Sequence, residues 1–148
     1  MGSKATLTLS FSPKSLKALE KATKKIEQDI AMQLASEQIA NIQLRVAKGI
    51  GLNDSQMPDY SPSYKRYRKK KGRDSSVRKL EFTGRMLNAL FAEKVGEKGA
   101  KIYFLDAQNR IKAYYNQRRI EWFGISAKDR GYLMRSLEKK IAQINKEK

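Results

Sequence analysis

LKALEKATKKIEQDIAMQLASEQIANIQLRVAKG, running from Leu16 to Gly49, is the stretch whose reading decides the fold. Its apolar positions Leu19, Ala22, Ile26, Ile30, Leu34, Ile39, Ile42 and Val46 step mostly by three and four, with lysines and acids mostly between them. That is the period of one helical face. Lys48-Gly49 then offers a basic last turn and a C′ glycine that can take the left-handed backbone at a helix end. Unbroken, roughly 35 residues of helix would reach about 50 Å, whereas a single domain of 148 residues has a radius of gyration of about 15 Å. Either the helix breaks near Ala22 to Lys25, or one end projects and packs on another chain. A break is expected, with the longer second piece at a subunit interface.

Upstream, Ala5 to Phe11 alternates, with Leu7, Leu9 and Phe11 on one face and Thr6, Thr8 and Ser10 on the other, as in a half-buried strand. Ser12-Pro13 supplies an N-cap and a proline at the first helical position. Downstream, Gly49 to Ser55 is turn-rich. Its glycines are preceded by a helix and followed by Pro58, the wrong context for a dinucleotide fingerprint, and it is read as a loop.

The next segment carries the charge. From Lys65 to Lys79 nine basic residues face one acid, Asp74, so this piece holds +8 of the chain's +17. It is read as an exposed loop spanning 49–79, with Ser61-Pro62 as a turn initiator. Tyr60, Tyr64 and Tyr67 are spaced to form one face of a short helix beneath the basic run. Lys65, Arg66, Arg68, Lys69, Lys70, Lys71 and Arg73 are the residues expected to meet partners.

Leu80 to Phe82 reads as extended, Thr83 as the cap of a short helix from Gly84 to Phe91, and Ala92 to Val95 with Ala100 to Leu105 as a hairpin around Gly96-Glu97-Lys98-Gly99. Ile111, Tyr114 and Tyr115 fit one or two helical turns. Trp122, the single tryptophan, is expected on the sheet or the long helix. Ser126-Ala127-Lys128-Asp129 is a capping-box variant opening a last helix. That helix places Leu133, Leu137, Ile141 and Ile144 inward and Lys139, Lys140, Lys146 and Lys148 toward solvent. The expected architecture is α+β in a single domain over 1–148: an N-terminal strand at 1–12, helix over 13–48, basic loop over 49–79, short helices and a hairpin over 80–125, and the C-terminal helix over 126–148. A long amphipathic helix and the C-terminal helix pack on a small antiparallel sheet.

Chemistry is hard to find in this chain. It has no histidine and no cysteine, which removes the commonest neutral-pH acid/base and metal ligand along with every thiolate. It has no P-loop string, and its acids are scattered among lysines. Asn53-Asp54 with Asp59 lacks the spacing and closing glutamate of a calcium loop. Ser76 with Lys79 and Ser136 with Lys139 keep Ser-x-x-Lys spacing, but both sit in basic or solvent-facing settings that do not lower a lysine's pKa. Neither an enzyme nor a cofactor or metal is expected. No signal-like or membrane-length apolar run occurs, so a reducing cytoplasm is expected and no membrane. The charge favours polyanionic partners.

Taken together, Tyr60-Ser61-Pro62-Ser63-Tyr64 with its basic run, Leu80-x-x-Thr83-Gly84-x-Met86, and Arg118-Arg119 before Phe123-Gly124-Ile125-Ser126 and Asp129 resemble the tailed-phage virion morphogenesis family of tail-completion or neck proteins. The resemblance runs from about Ala31 to the C-terminus. It implies a small α+β subunit of the head–tail junction that acts by binding in a ring, expected to be sixfold. Its partners would be copies of itself and neighbouring head-completion and tail proteins. Its location would be the virion, and the host bacterial cytoplasm during assembly, from a phage or a prophage. It also implies that 50–79 is mobile in the free subunit, and that its cations face packaged DNA without sequence preference or dock on an acidic neighbouring ring. A basic nucleic-acid-binding module, with tyrosines interleaved among Lys and Arg, is the alternative reading.

Overall fold

The computed structural model describes residues 7–9, 24–80, 84–96 and 99–147. Strand β1 spans Leu7–Leu9 and helix α1 Lys24–Ala47. Helix α2 spans Pro62–Lys70 and α3 Arg85–Asn88. Strands β2 (Leu90–Val95) and β3 (Gly99–Phe104) follow, then α4 (Ala107–Arg119) and α5 (Ala127–Lys146). The architecture is α+β, as expected: α1 packs on a small antiparallel sheet of order β1-β3-β2, and α5 packs against α1.

Helix α1 runs unbroken for 24 residues, about 36 Å at the helical rise. The expected break near Ala22 to Lys25 falls largely outside the described residues, as do Ser12-Pro13 and Thr83. The helix ends in a Schellman motif: Ile50 N–H donates to Arg45 O at 3.0 Å and Gly49 N–H to Val46 O at 2.9 Å, with Gly49 at φ 75°. A side chain is disfavoured there for a second reason, since a Cβ on Gly49 would stand 3.0 Å from the Arg78 carbonyl. The end of the basic segment thus lies directly on the cap of α1.

Ile30, Leu34, Ile42 and Val46 are buried as the periodicity requires, joined by Ala31 and Ala35, while Ile39 is only half-buried. The central strand β3 alternates, burying Ala100, Ile102 and Phe104. Its register pairs Leu7 with Ile102 on one side and Leu90 with Phe104 on the other. Leu90 and Phe91 therefore belong to a strand, not to the short helix expected through Phe91. The reason is long-range: Leu90 is buried opposite Phe104, and Phe91 meets Tyr103 edge-to-face at 5.9 Å.

Trp122 is fully buried against Phe104 and Phe123, with ring centroids at 6.3 Å and 5.6 Å. Helix α4 has 13 residues, longer than the one or two turns expected, and starts where Asp106 caps it by accepting from Asn109 N–H. Leu133 and Leu137 of α5 are buried. Lys140, expected in solvent, lies between the helices and donates to Glu37 of α1 at 2.9 Å. Among the described residues no helix is long and apolar enough to cross a membrane.

Ile42→Ala should cost about 2–5 kcal/mol in urea unfolding, whereas Leu44→Ala, on the exposed face of the same helix, should stay within about 0.5 kcal/mol.

Candidate functional site

A buried polar knot fixes the frame in which the basic segment sits. Arg45 of α1 donates through Nε to Asp129 Oδ2 at 3.2 Å, through Nη1 to Trp122 O at 3.1 Å and through Nη2 to Gly124 O at 3.4 Å. Gln38, fully buried two turns earlier, donates to Gly124 O at 2.9 Å and to Asp129 Oδ2 at 3.0 Å. Asp129 also completes the expected capping box, accepting from Ser126 N–H while its own N–H donates to Ser126 Oγ. Phe123 packs on Phe104, and Gly124 stands so close to Leu52 that a Cβ would lie 3.0 Å from it. The string from Phe123 to Asp129 is thus structural.

The neighbouring turn is tied to the same knot. Asp54 accepts from the Lys128 N–H at 3.0 Å. Burial pulls its carboxyl upward, but the Lys128 amide and the Ser126 hydroxyl outweigh that and leave it below the usual carboxylate range.

The basic segment is loop at both ends and helix in the middle. Ser61 caps α2 by accepting from Tyr64 N–H at 3.3 Å, and Pro62 occupies the first helical position. A second Schellman motif closes it, with Arg73 N–H donating to Arg68 O at 2.8 Å, Gly72 N–H to Lys69 O at 3.0 Å, and Gly72 at φ 67°. Along α2 two faces interleave. Tyr64, Tyr67 and Arg68, at i, i+3 and i+4, turn toward the body, while Arg66, Lys69 and Lys70, also at i, i+3 and i+4, are exposed.

Tyr60, buried, meets Tyr64 edge-to-face at 5.2 Å, and Tyr64 stacks on Tyr67 at 5.9 Å. Arg68 is the residue the sequence misplaces. It is not offered to partners but is 4 % exposed, with its guanidinium 4.8 Å from the Tyr60 ring and its Nε donating to Asp74 O at 2.7 Å. Burial becomes tolerable because the charge gains ring faces and a carbonyl. Lys65 is drawn to Asp59 and Lys71 to the Tyr67 ring at 5.9 Å, so both are partly committed. Arg73 is exposed.

Two acids organise the run. Asp74 accepts from Lys79 Nζ at 2.6 Å, Ser76 Oγ at 2.7 Å and Ser76 N–H at 2.9 Å, which together hold its carboxyl far below the usual range. Asp59 is lowered first by its bond from Lys65, then by the Tyr60 N–H. The Tyr60 hydroxyl accepts from Lys79 N–H at 3.1 Å and Arg78 Nη2 donates to Asp59 O at 2.9 Å, closing the segment onto itself.

Between α2 and the α3–α4 pair lies a cleft of about 790 Å³. Tyr60, Ser61, Tyr64, Arg68 and Arg78 form one wall, Leu80, Met86 and Leu87 the floor, and Lys112, Asn116, Arg119 and Ile120 the far wall. Residues from three distant strings, 60–64, 80–86 and 119–120, therefore meet here. Leu80 has φ 52° rather than the extended backbone expected, and Gly84, at φ 79°, caps α3. Arg118 points to solvent. Sequence reading missed Gln38 and Arg45, although both keep step with the buried stripe at 31, 34, 35, 42 and 46. Compared with protein-family models, curated proteins and solved structures, the chain matches none.

Because the Asp74 carboxyl is depressed, its bonds contribute order above the unfolded aspartate pKa, and that order is lost only as pH falls through the lower folded value. Carbon-13 titration should find Asp74 still ionised at about pH 3.9, where an ordinary aspartate is half protonated.

Proposed function

We propose that this chain is a structural assembly subunit of the head–tail junction of a tailed phage, acting by binding and not by catalysis. It joins copies of itself in a ring and meets neighbouring head-completion and tail proteins, in the virion and, during assembly, in the bacterial cytoplasm. The observation that carries this reading is the outward display of cations on α2. Tyr60, Arg68 and Asp74 clamp its inner face, so that Arg66, Lys69 and Lys70 stand outward at fixed positions. Preorganised cations bind without the cost of ordering a loop. Repeated around a ring, they make a positive collar able to face DNA phosphates or an acidic ring surface.

The residues that carry the family resemblance support the same reading by their placement. Ser126 and Asp129 are joints of the fold, Tyr60, Gly84 and Met86 position the cleft, and none of them sits in a pairing suited to acid–base or nucleophilic work. A histidine-free, cysteine-free chain is consistent with binding as its task.

Replacing Arg66, Lys69 and Lys70 together by Glu should leave the melting temperature within about 4 °C of the parent, since these side chains are exposed. The triple variant should nevertheless fail to restore finished virions to a phage or prophage deprived of this chain. Full restoration would contradict the proposal, as would sedimentation showing only monomer in the presence of neck partners. Tight oligonucleotide binding with a steep salt slope and no competition from heparin would favour the nucleic-acid module instead.

A further inference from the structure

We propose that the cleft between α2 and α3–α4 is a docking site for an acidic peptide segment carrying an apolar anchor, supplied by a protein other than this chain. Besides the buried Arg68, the walls hold three cations, Arg78, Lys112 and Arg119, and no carboxylate among the described residues. Arg78, Lys112 and Arg119 have no ion-pair partner among the described residues. Arg78 also keeps its Nε buried without an acceptor. A concave site with this balance of charge selects an anionic occupant, and guanidinium groups suit carboxylates through paired N–H donors.

The floor decides which anion. Leu80, Met86 and Leu87 present an apolar surface between the two cationic walls, and methionine adapts to an inserted aliphatic or aromatic side chain. A sugar-phosphate chain would leave that surface unused. Bases would need a row of separate open aromatic faces, but Tyr60 is buried, and Tyr64 and Tyr67, though partly open to solvent, cover part of each other's faces. Tyr64 and Tyr67 stack on each other, Lys71 lies at Tyr67, and Arg68 lies at both Tyr60 and Tyr64. An acidic peptide with a leucine or phenylalanine uses both the walls and the floor. A second copy of this chain is disfavoured as donor, because the acids in its two stretches without lysine or arginine, 26–44 and 49–64, are used within its own fold: Asp29 pairs with Lys94, Glu37 with Lys140 and Asp59 with Lys65, and Asp54 accepts from the Lys128 N–H. The cleft is distinct from the outward face of α2, and the inference stands whichever assembly the chain enters.

The test is fluorescence anisotropy on the full chain at about 0.15 M salt, using a fluorescein-labelled peptide of alternating glutamate and leucine. Controls are the same peptide with serine for leucine, a single-stranded oligonucleotide, and heparin. Binding should weaken at least about tenfold with Arg119→Glu, with Lys112→Glu and with the serine peptide. Lys69→Glu, on the outer face, should change it less than about threefold. Circular dichroism establishes that each variant is folded; should Arg119→Glu unfold, Lys112→Glu decides alone. Equal affinity for the leucine and serine peptides would overturn the proposal by reducing it to general electrostatics. So would peptide binding insensitive to the α4 variants, or an oligonucleotide that binds more tightly than the peptide and is lost on the same substitutions.

Discussion

The ion pair between Arg45 and Asp129 holds the molecule together at the point where its elements would otherwise only touch. It joins the last turn of α1 to the first turn of α5, and the same guanidinium gathers the carbonyls of Trp122 and Gly124. Removing one partner of such a buried pair costs about 3–5 kcal/mol, whereas replacing the whole pair by apolar groups is often neutral. Its contribution is therefore orientation. It sets the path of the chain through Trp122 to Ser126, which places the tryptophan under β3, and Asp54 ties the 49–57 turn to the same helix start.

The frame matters because a run of nine basic residues in fifteen has to be accommodated beside it. Like charges so close together disfavour a compact arrangement. The structure resolves this by sorting them. Arg68 goes inward onto tyrosine and a carbonyl, Lys65 and Lys79 go to Asp59 and Asp74, Arg78 goes to the Asp59 carbonyl and the Tyr60 ring, and Arg66, Lys69 and Lys70 stay exposed. Gly49 is the hinge point of the arrangement, since its missing side chain lets the Arg78 carbonyl rest on the cap of α1. Ordering one inner face produces both candidate surfaces, the outward cations of α2 and the cleft beneath it.

Much of this was legible beforehand. Periodicity located α1 and α5, the Ser126–Asp129 spacing located a capping box, and alternation located β3, because each depends on residues within a few positions of one another. What escaped depends on distant partners. Gln38 and Arg45 interrupt the apolar stripe with polar side chains, and only the position of Asp129 makes them interior. Arg68 looks like its neighbours in a basic run until Tyr60 and the Asp74 carbonyl appear beneath it. Leu90 and Phe91 suit a helix or a strand, and β3 decides. The cleft could not be seen at all, since it is assembled from three strings separated by about twenty to thirty positions each.

Both candidate surfaces require the basic segment to be a folded, clamped helix in the free chain and not a loop that waits for a partner. The measurement that tests this most directly is amide hydrogen exchange across Lys65 to Lys71 in the isolated chain. Retardation of at least about tenfold relative to an unfolded chain, greatest toward the helix end that Arg68 anchors, is the predicted result. Exchange at unfolded-chain rates throughout Lys65 to Lys71 would contradict it.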